Sequence, residues 1–376
     1  MITKAIRSIY KTNLGIQQDE SVLVFTDRPS PAEIMTGSEG GRRDRLRDIA
    51  LLTAEAGKTF TKKITSLEYT ATGSHGAEPP EEAWAAAFGQ GAVKALREAR
   101  LLSPLIKKTI TPSAMEKAEA IIRRHRKSAV NAVIALANYS TSHTGFRDLL
   151  TRLCECRYAS MPLFDISMLE GPMAVDWKAL AKRTTAIARV VNKAESIEIK
   201  CPNGTHVTLS KAGRQALSDT GMLTQKGAFG NLPAGEVFLA PLEGTAQGKL
   251  VIEWAPTRQL TTPLTLTVGD GAVTEISGDE PYAALLQAKL DEKKENRNIA
   301  ELGIGTNDRA KRPDNILESE KIFGTIHIAL GDNSSFGGTV KTPFHQDFVF
   351  FRPTVILKAK DGTHTYLLRD GILCKS

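Results

Sequence analysis

Cysteine is scarce in this 376-residue chain. Cys154, Cys156, Cys201 and Cys374 are too few and too scattered for a disulfide framework, so a reducing, cytoplasmic setting is expected. No stretch approaches the roughly 18 consecutive apolar residues of a membrane-crossing helix. The opening Met1-Ile2-Thr3-Lys4-Ala5-Ile6-Arg7 lacks the apolar core of a secretory signal. The expectation is a protein neither exported by that route nor spanning a membrane. Phosphate-cradling glycine loops are missing too. Gly303-Ile304-Gly305 runs into Thr306-Asn307 without the third glycine of a dinucleotide fingerprint, and no G-x-x-x-x-G-K-[ST] string occurs, so nothing calls for a nucleotide cofactor. Aromatic residues are 6% of the chain. None interleaves with the densest basic run, Arg123-Arg124-His125-Arg126-Lys127, which reads as the cationic end of an amphipathic helix rather than a base-stacking platform. The net charge of +7 permits attraction to anions, but no specific nucleic-acid partner is expected. Cys154-Glu155-Cys156 lacks the second pair of a metal clip and reads as packing.

What is present is the material for a core: 41% hydrophobic and 24% charged residues, in a length that suits two domains. Val22-Leu23-Val24-Phe25-Thr26, closed by Asp27-Arg28-Pro29, reads as a buried strand. Helical patterns follow over 43–56, 82–101 and 113–127, and a second strand-like run lies within 129–136. Strands alternating with helices predict an α/β N-terminal domain, 1–185, with a mostly parallel sheet. Beyond a helical stretch around Trp177 to Arg183 the pattern changes. Ser196–Lys200 and Thr205–Leu209 alternate across Pro202-Asn203-Gly204, a hairpin signal. Leu264, Leu266 and Val268 alternate up to Gly269-Asp270-Gly271, and Val355–Leu357 faces Thr365–Leu367 across Asp361-Gly362. With a helix over 281–296, these predict a C-terminal α+β catalytic domain, 186–376, with largely antiparallel strands.

Carboxylates and imidazoles gather in this second half. His345 and Asp347 open the run Phe348-Val349-Phe350-Phe351, and their i, i+2 spacing puts both on one face of a strand. A neutral imidazole and a carboxylate so placed can hold a divalent cation; an exposed polar pair at a strand start has the same spacing. His327 interrupts the apolar Ile326–Leu330, as either a site residue or a satisfied core histidine. Glu320 lies in a helix-like stretch. Glu301 opens an apolar, glycine-bearing segment where a bare charge needs a partner or a metal. Glu236 follows Pro233-Ala234-Gly235 and leads a strand. Four carboxylates and two imidazoles together are the donor set a two-metal hydrolytic site requires.

The strings Asn231-Leu232-Pro233-Ala234-Gly235-Glu236-Val237, Glu301-Leu302-Gly303-Ile304-Gly305-Thr306-Asn307, Glu320-Lys321 with Gly324–Gly331, and His345-Gln346-Asp347 resemble the thermophilic metallo-aminopeptidase family that includes aminopeptidases T and S. Weaker similarity reaches Ser142-His143-Thr144 and Met161-Pro162. The resemblance implies an α/β N-terminal domain, a C-terminal catalytic domain, a homodimer and removal of N-terminal residues from peptides. It implies two divalent ions (Zn, Co or Mn) held by Glu236, Glu301, Glu320, His327, His345 and Asp347, with Glu301 between them and Glu236 or Glu301 as the catalytic base. The tyrosine that the family places seven residues after the histidine matching His327 is Ser334 here. A phenol able to protonate a tetrahedral intermediate is therefore missing. Metal-assisted peptide hydrolysis is the leading expectation. The alternative is a mononuclear non-haem Fe(II) ring-cleaving dioxygenase, with His327, His345 and Asp347 as a two-histidine, one-carboxylate triad, or an aromatic-amine hydrolase on the same scaffold. Against that alternative, Glu236, Glu301 and Glu320 are surplus to one iron. A third reading is a nonenzymatic binding protein whose basic surface contacts an anion, which would leave these carboxylates and histidines without a role.

Overall fold

The structure is a computed structural model and describes residues 2–374. The chain divides into two compact units: one comprises the chain up to Trp177 together with Gly221–Pro233, the other Lys178–Thr220 and everything from Ala234 onward. In chain order the strands of the first unit are β1 (Ser21–Arg28), β2 (Lys63–Thr70), β3 (Ala132–Ala135) and β4 (Arg157–Ser160). The second unit begins with β5 (Ser196–Lys200), β6 (His206–Ser210) and β7 (Leu217–Asp219). The chain then returns to the first for β8 (Phe229–Asn231). It continues in the second with β9 (Glu236–Leu239), β10 (Gln247–Ala255), β11 (Arg258–Gly269), β12 (Ala272–Ser277), β13 (Ile299–Gly305), β14 (Ile326–Gly331), β15 (His345–Phe350), β16 (Thr354–Lys358), β17 (His364–Arg369) and β18 (Ile372–Leu373).

In the first unit the order is β2-β1-β3-β4-β8 and every pairing is parallel, with helices in the connections. Such a sheet is covered on both faces, which is why Val22, Leu23, Val24 and Phe25 are all fully buried rather than alternating. The helix Gly37–Gly57 is capped by the Thr36 hydroxyl, which accepts from the Glu39 amide at 3.2 Å. The single helix expected over 82–101 is two, Glu81–Phe88 and Gln90–Glu98. Gly89 at φ +88° breaks it, and a side chain there would meet Ser128 Cβ at 2.9 Å.

The second unit holds two antiparallel sheets, β12-β11-β10-β6-β5-β16-β17-β18 and β15-β14-β13-β9-β7. The hairpin β5–β6 turns at Gly204 (φ +97°), and the Asn203 side chain accepts from the Thr205 amide at 3.0 Å. Ile197, Leu209, Ile252 and Leu266 of the larger sheet share one core with Val237, Leu302, Ile304 and Ile328 of the smaller. The predicted α/β unit with a parallel sheet, joined to an α+β unit with antiparallel strands, is the fold observed. Among the described residues no helix is long and apolar enough to cross a membrane.

Candidate metal centre

The smaller sheet builds the site by strict alternation. Register places Glu236 opposite Gly305, Gly303 opposite His327, Glu301 opposite Ala329, Ala329 opposite Asp347, and Gly331 opposite His345. Residues paired across strands share a face, so all five polar side chains project from one side while their neighbours Val237, Leu302, Ile304, Ile326, Ile328 and Phe348 enter the core. The positions between them on that side are Gly303, Gly305, Ala329 and Gly331, which leave room above the sheet. The two glycines of Gly303-Ile304-Gly305 thus serve packing: a Cβ on Gly303 would fall inside the His327 ring, and one on Gly305 would lie 2.0 Å from the Ile322 carbonyl oxygen.

Each predicted residue is held in place. Gly235 (φ +122°) aims Glu236, its carbonyl accepting from Thr306 N at 2.8 Å while Asn307 Nδ2 donates to the Ala234 carbonyl at 2.9 Å. Glu301 lies centrally: His327 Nε2 is 3.2 Å from Glu301 Oε1, and His345 Nε2 is 3.5 Å from Oε2. His327 Nε2 is also 3.5 Å from Glu236 Oε2, and His345 Nε2 is 3.6 Å from Asp347 Oδ1. His345 Nδ1 lies 2.7 Å from the Asp332 carbonyl, to which it donates, so Nε2 faces the carboxylates and becomes the ligand nitrogen once it loses its proton. The sixth predicted residue, Glu320, follows the short helix Ile316–Ser319 and joins through a lysine. Lys321 Nζ, fully buried, donates to Glu236 Oε1 at 2.8 Å and Glu320 Oε2 at 2.6 Å.

The charges reinforce one another. Burial opposes protonation of His327, but the Glu301 hydrogen bond and the carboxylates around it push its pKa up to about 9. His345 is likewise opposed by burial and pushed up to about 10 by Asp347, Glu301 and the Asp332 carbonyl. Burial works against the Asp347 carboxylate, yet His345 holds it well below the usual carboxylate range. Burial pushes the Glu320 carboxyl up to about 8 against the pull of Lys321.

These residues fit a divalent ion. Donors about 2.1 Å from one ion stand roughly 3.0–3.5 Å apart, and the contacts within two overlapping sets, Glu236, Glu301 and His327, and Glu301, His345 and Asp347, span 3.2–3.6 Å. Glu236 Oε2 is buried with no hydrogen-bond partner, its nearest cationic neighbour being His327 Nε2 at 3.5 Å. A pocket bordered by Glu320, His327 and Asp347 has apolar walls: Trp254, Pro256, Pro313, Ile316 and Val349. Phe336 stands edge-on to His345 at 6.1 Å and to Phe238 at 5.8 Å.

Sequence reasoning missed several contributors. Asp219 lies beside Glu236 across β7–β9. Lys321 was visible only as the neighbour of Glu320. Glu318, 2% exposed, accepts from the amides of Lys311 and Arg312 at 2.8 and 3.1 Å. A charge inside an apolar, glycine-rich string was the one available signal. Cys154-Glu155-Cys156 is no thiolate site: Cys156 is buried, and burial pushes the Cys154 thiol up to about 11.

A sequence model of the family described as NicX, 2,5-dihydroxypyridine 5,6-dioxygenase, matches residues 168–371. The curated 2,5-dihydroxypyridine 5,6-dioxygenase of Pseudomonas putida is 24% identical over 181 residues, 44% of this chain and 52% of that protein. The chain thus spans about half the length of this curated relative. Two solved structures share the fold. The 2,5-dihydroxypyridine dioxygenase from Pseudomonas putida KT2440 aligns with a TM-score of 0.69 at 17% identity, over 100% of this chain and 97% of the other. Wild-type AmpT from Thermus thermophilus aligns with a TM-score of 0.58 at 18% identity, over 100% and 99%.

These findings correct the leading expectation. The sequence matches name a dioxygenase, an oxidoreductase, whereas the likeness to AmpT is one of fold, so the assignments as hydrolase, aminopeptidase and metalloprotease are overturned. The two ions, Zn, Co or Mn, find no support in them either; a dioxygenase of this kind suggests a single Fe(II). At the position where the resemblance implies a phenol, the Ser334 hydroxyl donates at 3.1 Å to the Asp332 carboxylate of its own loop. With the match covering more than half of its length, the chain belongs to the 2,5-dihydroxypyridine 5,6-dioxygenase (NicX) family.

Proposed function

We propose that this protein is a mononuclear Fe(II) dioxygenase that opens a dihydroxylated pyridine ring, with His327, His345 and Asp347 as the iron-holding triad. The observation that carries the reading is the join between the donor set and the apolar pocket: His327 and Asp347 border the same space as Trp254, Pro256, Pro313 and Ile316. The free space there is about 10 Å³, room for about one water, so a flat heteroaromatic ring would enter only as these walls part, with its hydroxyls toward the polar end. Ferrous iron, when bound, supplies the one-electron chemistry by which dioxygen reacts with a ring. The chain's own residues do the rest. Asp332 fixes the His345 tautomer. Glu301 stands between the two imidazoles with one oxygen toward each. Glu320, at the pocket's edge with its carboxyl pushed up to about 8, accepts a ring-hydroxyl proton in its ionised form, which predominates above that pH. The apolar walls exclude water from the reacting ring.

The test is anaerobic loading with Fe(II), then 2,5-dihydroxypyridine and air. Loss of the ring's near-ultraviolet absorption with uptake of one O2 per ring is the expected result. A folded, iron-loaded protein that leaves the absorption unchanged would overturn the proposal.

A further inference from the structure

Donor types alone would allow two ions. The ligand atoms fall into two sets, Glu236 with Glu301 and His327, and Glu301 with His345 and Asp347, which meet at Glu301. Resting on the single-iron reading above, we infer that the buried Lys321 ammonium stands in place of a second cation and limits the centre to one ion. Its Nζ binds Glu236 Oε1 and Glu320 Oε2 at 2.8 and 2.6 Å, the two carboxylates that a lone iron held by the triad does not need.

The lysine cannot swing aside cheaply. Lys321 N donates to the Glu318 carbonyl at 3.0 Å, and the Lys321 carbonyl accepts from Asn307 N at 2.9 Å. The next residue, Ile322, bridges to Asn307 and presses its carbonyl against Gly305 so closely that not even a Cβ fits between. This crossing fixes the backbone from which the side chain reaches in, and full burial confines the ammonium at its end. A divalent ion reaching Glu236 and Glu320 would then lie a few ångströms from a fixed positive charge where water does not screen the repulsion. The ammonium, with three donors and no vacant coordination position, satisfies the same carboxylates without offering a site to water or dioxygen. Glu301, His327, His345 and Asp347 are untouched by Lys321 and remain for the ion. The surplus carboxylates thus have a partner of their own.

The experiment is a count of ions. Wild-type protein, Lys321→Met and Lys321→Arg are loaded anaerobically with excess Mn2+, freed of unbound metal and measured per chain by elemental mass spectrometry, with circular dichroism checking the fold. One ion in wild type, two in Lys321→Met and one in Lys321→Arg are expected. One ion in a folded Lys321→Met overturns the role of Lys321 while leaving the single-ion reading intact. Two ions in wild type overturn both. Should Lys321→Met fail to fold, Glu320→Gln decides: it keeps its one ion with unchanged affinity if Lys321 is the partner of Glu320, and a tenfold or greater loss of affinity overturns the inference.

Discussion

Gly303 faces His327 across the β13–β14 ladder so closely that a Cβ on the glycine would lie inside the imidazole, nearest its Cε1 atom. The ring lies over the glycine, and its orientation toward Glu301 and Glu236 depends on that space. Gly303→Ala should therefore displace the imidazole while leaving the Leu302 and Ile304 side of β13 in the core. Metal affinity is expected to fall on the order of 10- to 100-fold, the range for losing the support of a ligand, with a native circular dichroism spectrum. Titration with Mn2+ checks this; affinity equal to wild type would show that the ring does not bind the ion.

His345 and Asp347 project from the edge strand β15, with the Phe348 and Phe350 side of the strand in the core. Removing either donor leaves that core intact. His345→Ala and Asp347→Ala should each lose metal on dialysis and keep a cooperative melt. Full occupancy in both variants would exclude them as ligands.

Without a bound ion the two imidazoles hold their protons up to about 9 and 10. An ion binds only the neutral ring, so loading at pH 7 must release about two protons, and apparent affinity should rise from pH 7 and level off above about 10. The sign for stability is opposite. Both folded-state values lie above the ordinary histidine value, so their contribution to the metal-free protein is complete below about 6.5 and lost as pH rises through 9 to 10. Calorimetric titration in buffers of differing ionisation enthalpy counts the protons; affinity that does not change with pH would refute the assignment.

The alternation that builds this face was legible because it follows from period two. Glu301, Gly303 and Gly305, then His327, Ala329 and Gly331, then His345 and Asp347 fall at every second position, and the apolar residues between them mark strands buried on one side. What the sequence could not show were the contacts made by segments without a period. Lys321 reaches Glu236 from 85 positions away through a turn whose geometry is set by Gly305 and Ile322. Gly221–Pro233 crosses back to the first unit as an edge strand of three residues, too short for any pattern. The helix over 82–101 was misread for a related reason, since only its packing against Ser128 makes Gly89 a break. The metal donors themselves were readable, but the reaction was not: the same carboxylates and imidazoles serve hydrolysis and ring opening.

Glu318 Oε1 accepts from both Lys311 N and Arg312 N and so fixes the turn that brings Pro313 to the pocket wall. Glu318→Ala leaves two partly buried amides without an acceptor and should cost about 1–3 kcal/mol of stability. Glu318→Gln keeps a carbonyl oxygen for both and should melt close to wild type. Burial raises the Glu318 pKa, so stability falls as pH rises from the ordinary carboxylate value through the raised one, and the Gln variant should gain on wild type over that rise. Thermal denaturation of both variants at two pH values checks the pair.

Trp254 provides the sharpest test of what the pocket holds. It lines the space beside His327 and Asp347, and its ring is braced at 6.3 Å by Phe351, so it offers a fixed indole to an incoming substrate. A heteroaromatic ring stacked on it would gain about 0.5–1.5 kcal/mol beyond burial, or roughly 2- to 12-fold in binding. The indole is neither a metal donor nor a proton acceptor, so it contributes equally to the bound substrate and the transition state. Removing such an interaction raises KM and leaves kcat nearly unchanged. Trp254→Ala should therefore raise KM for 2,5-dihydroxypyridine by that factor, Trp254→Phe should recover most of it, and metal content should stay at the wild-type value in both. A fall in kcat with KM unchanged would place the indole at the reacting atoms; no change in either would place the ring elsewhere.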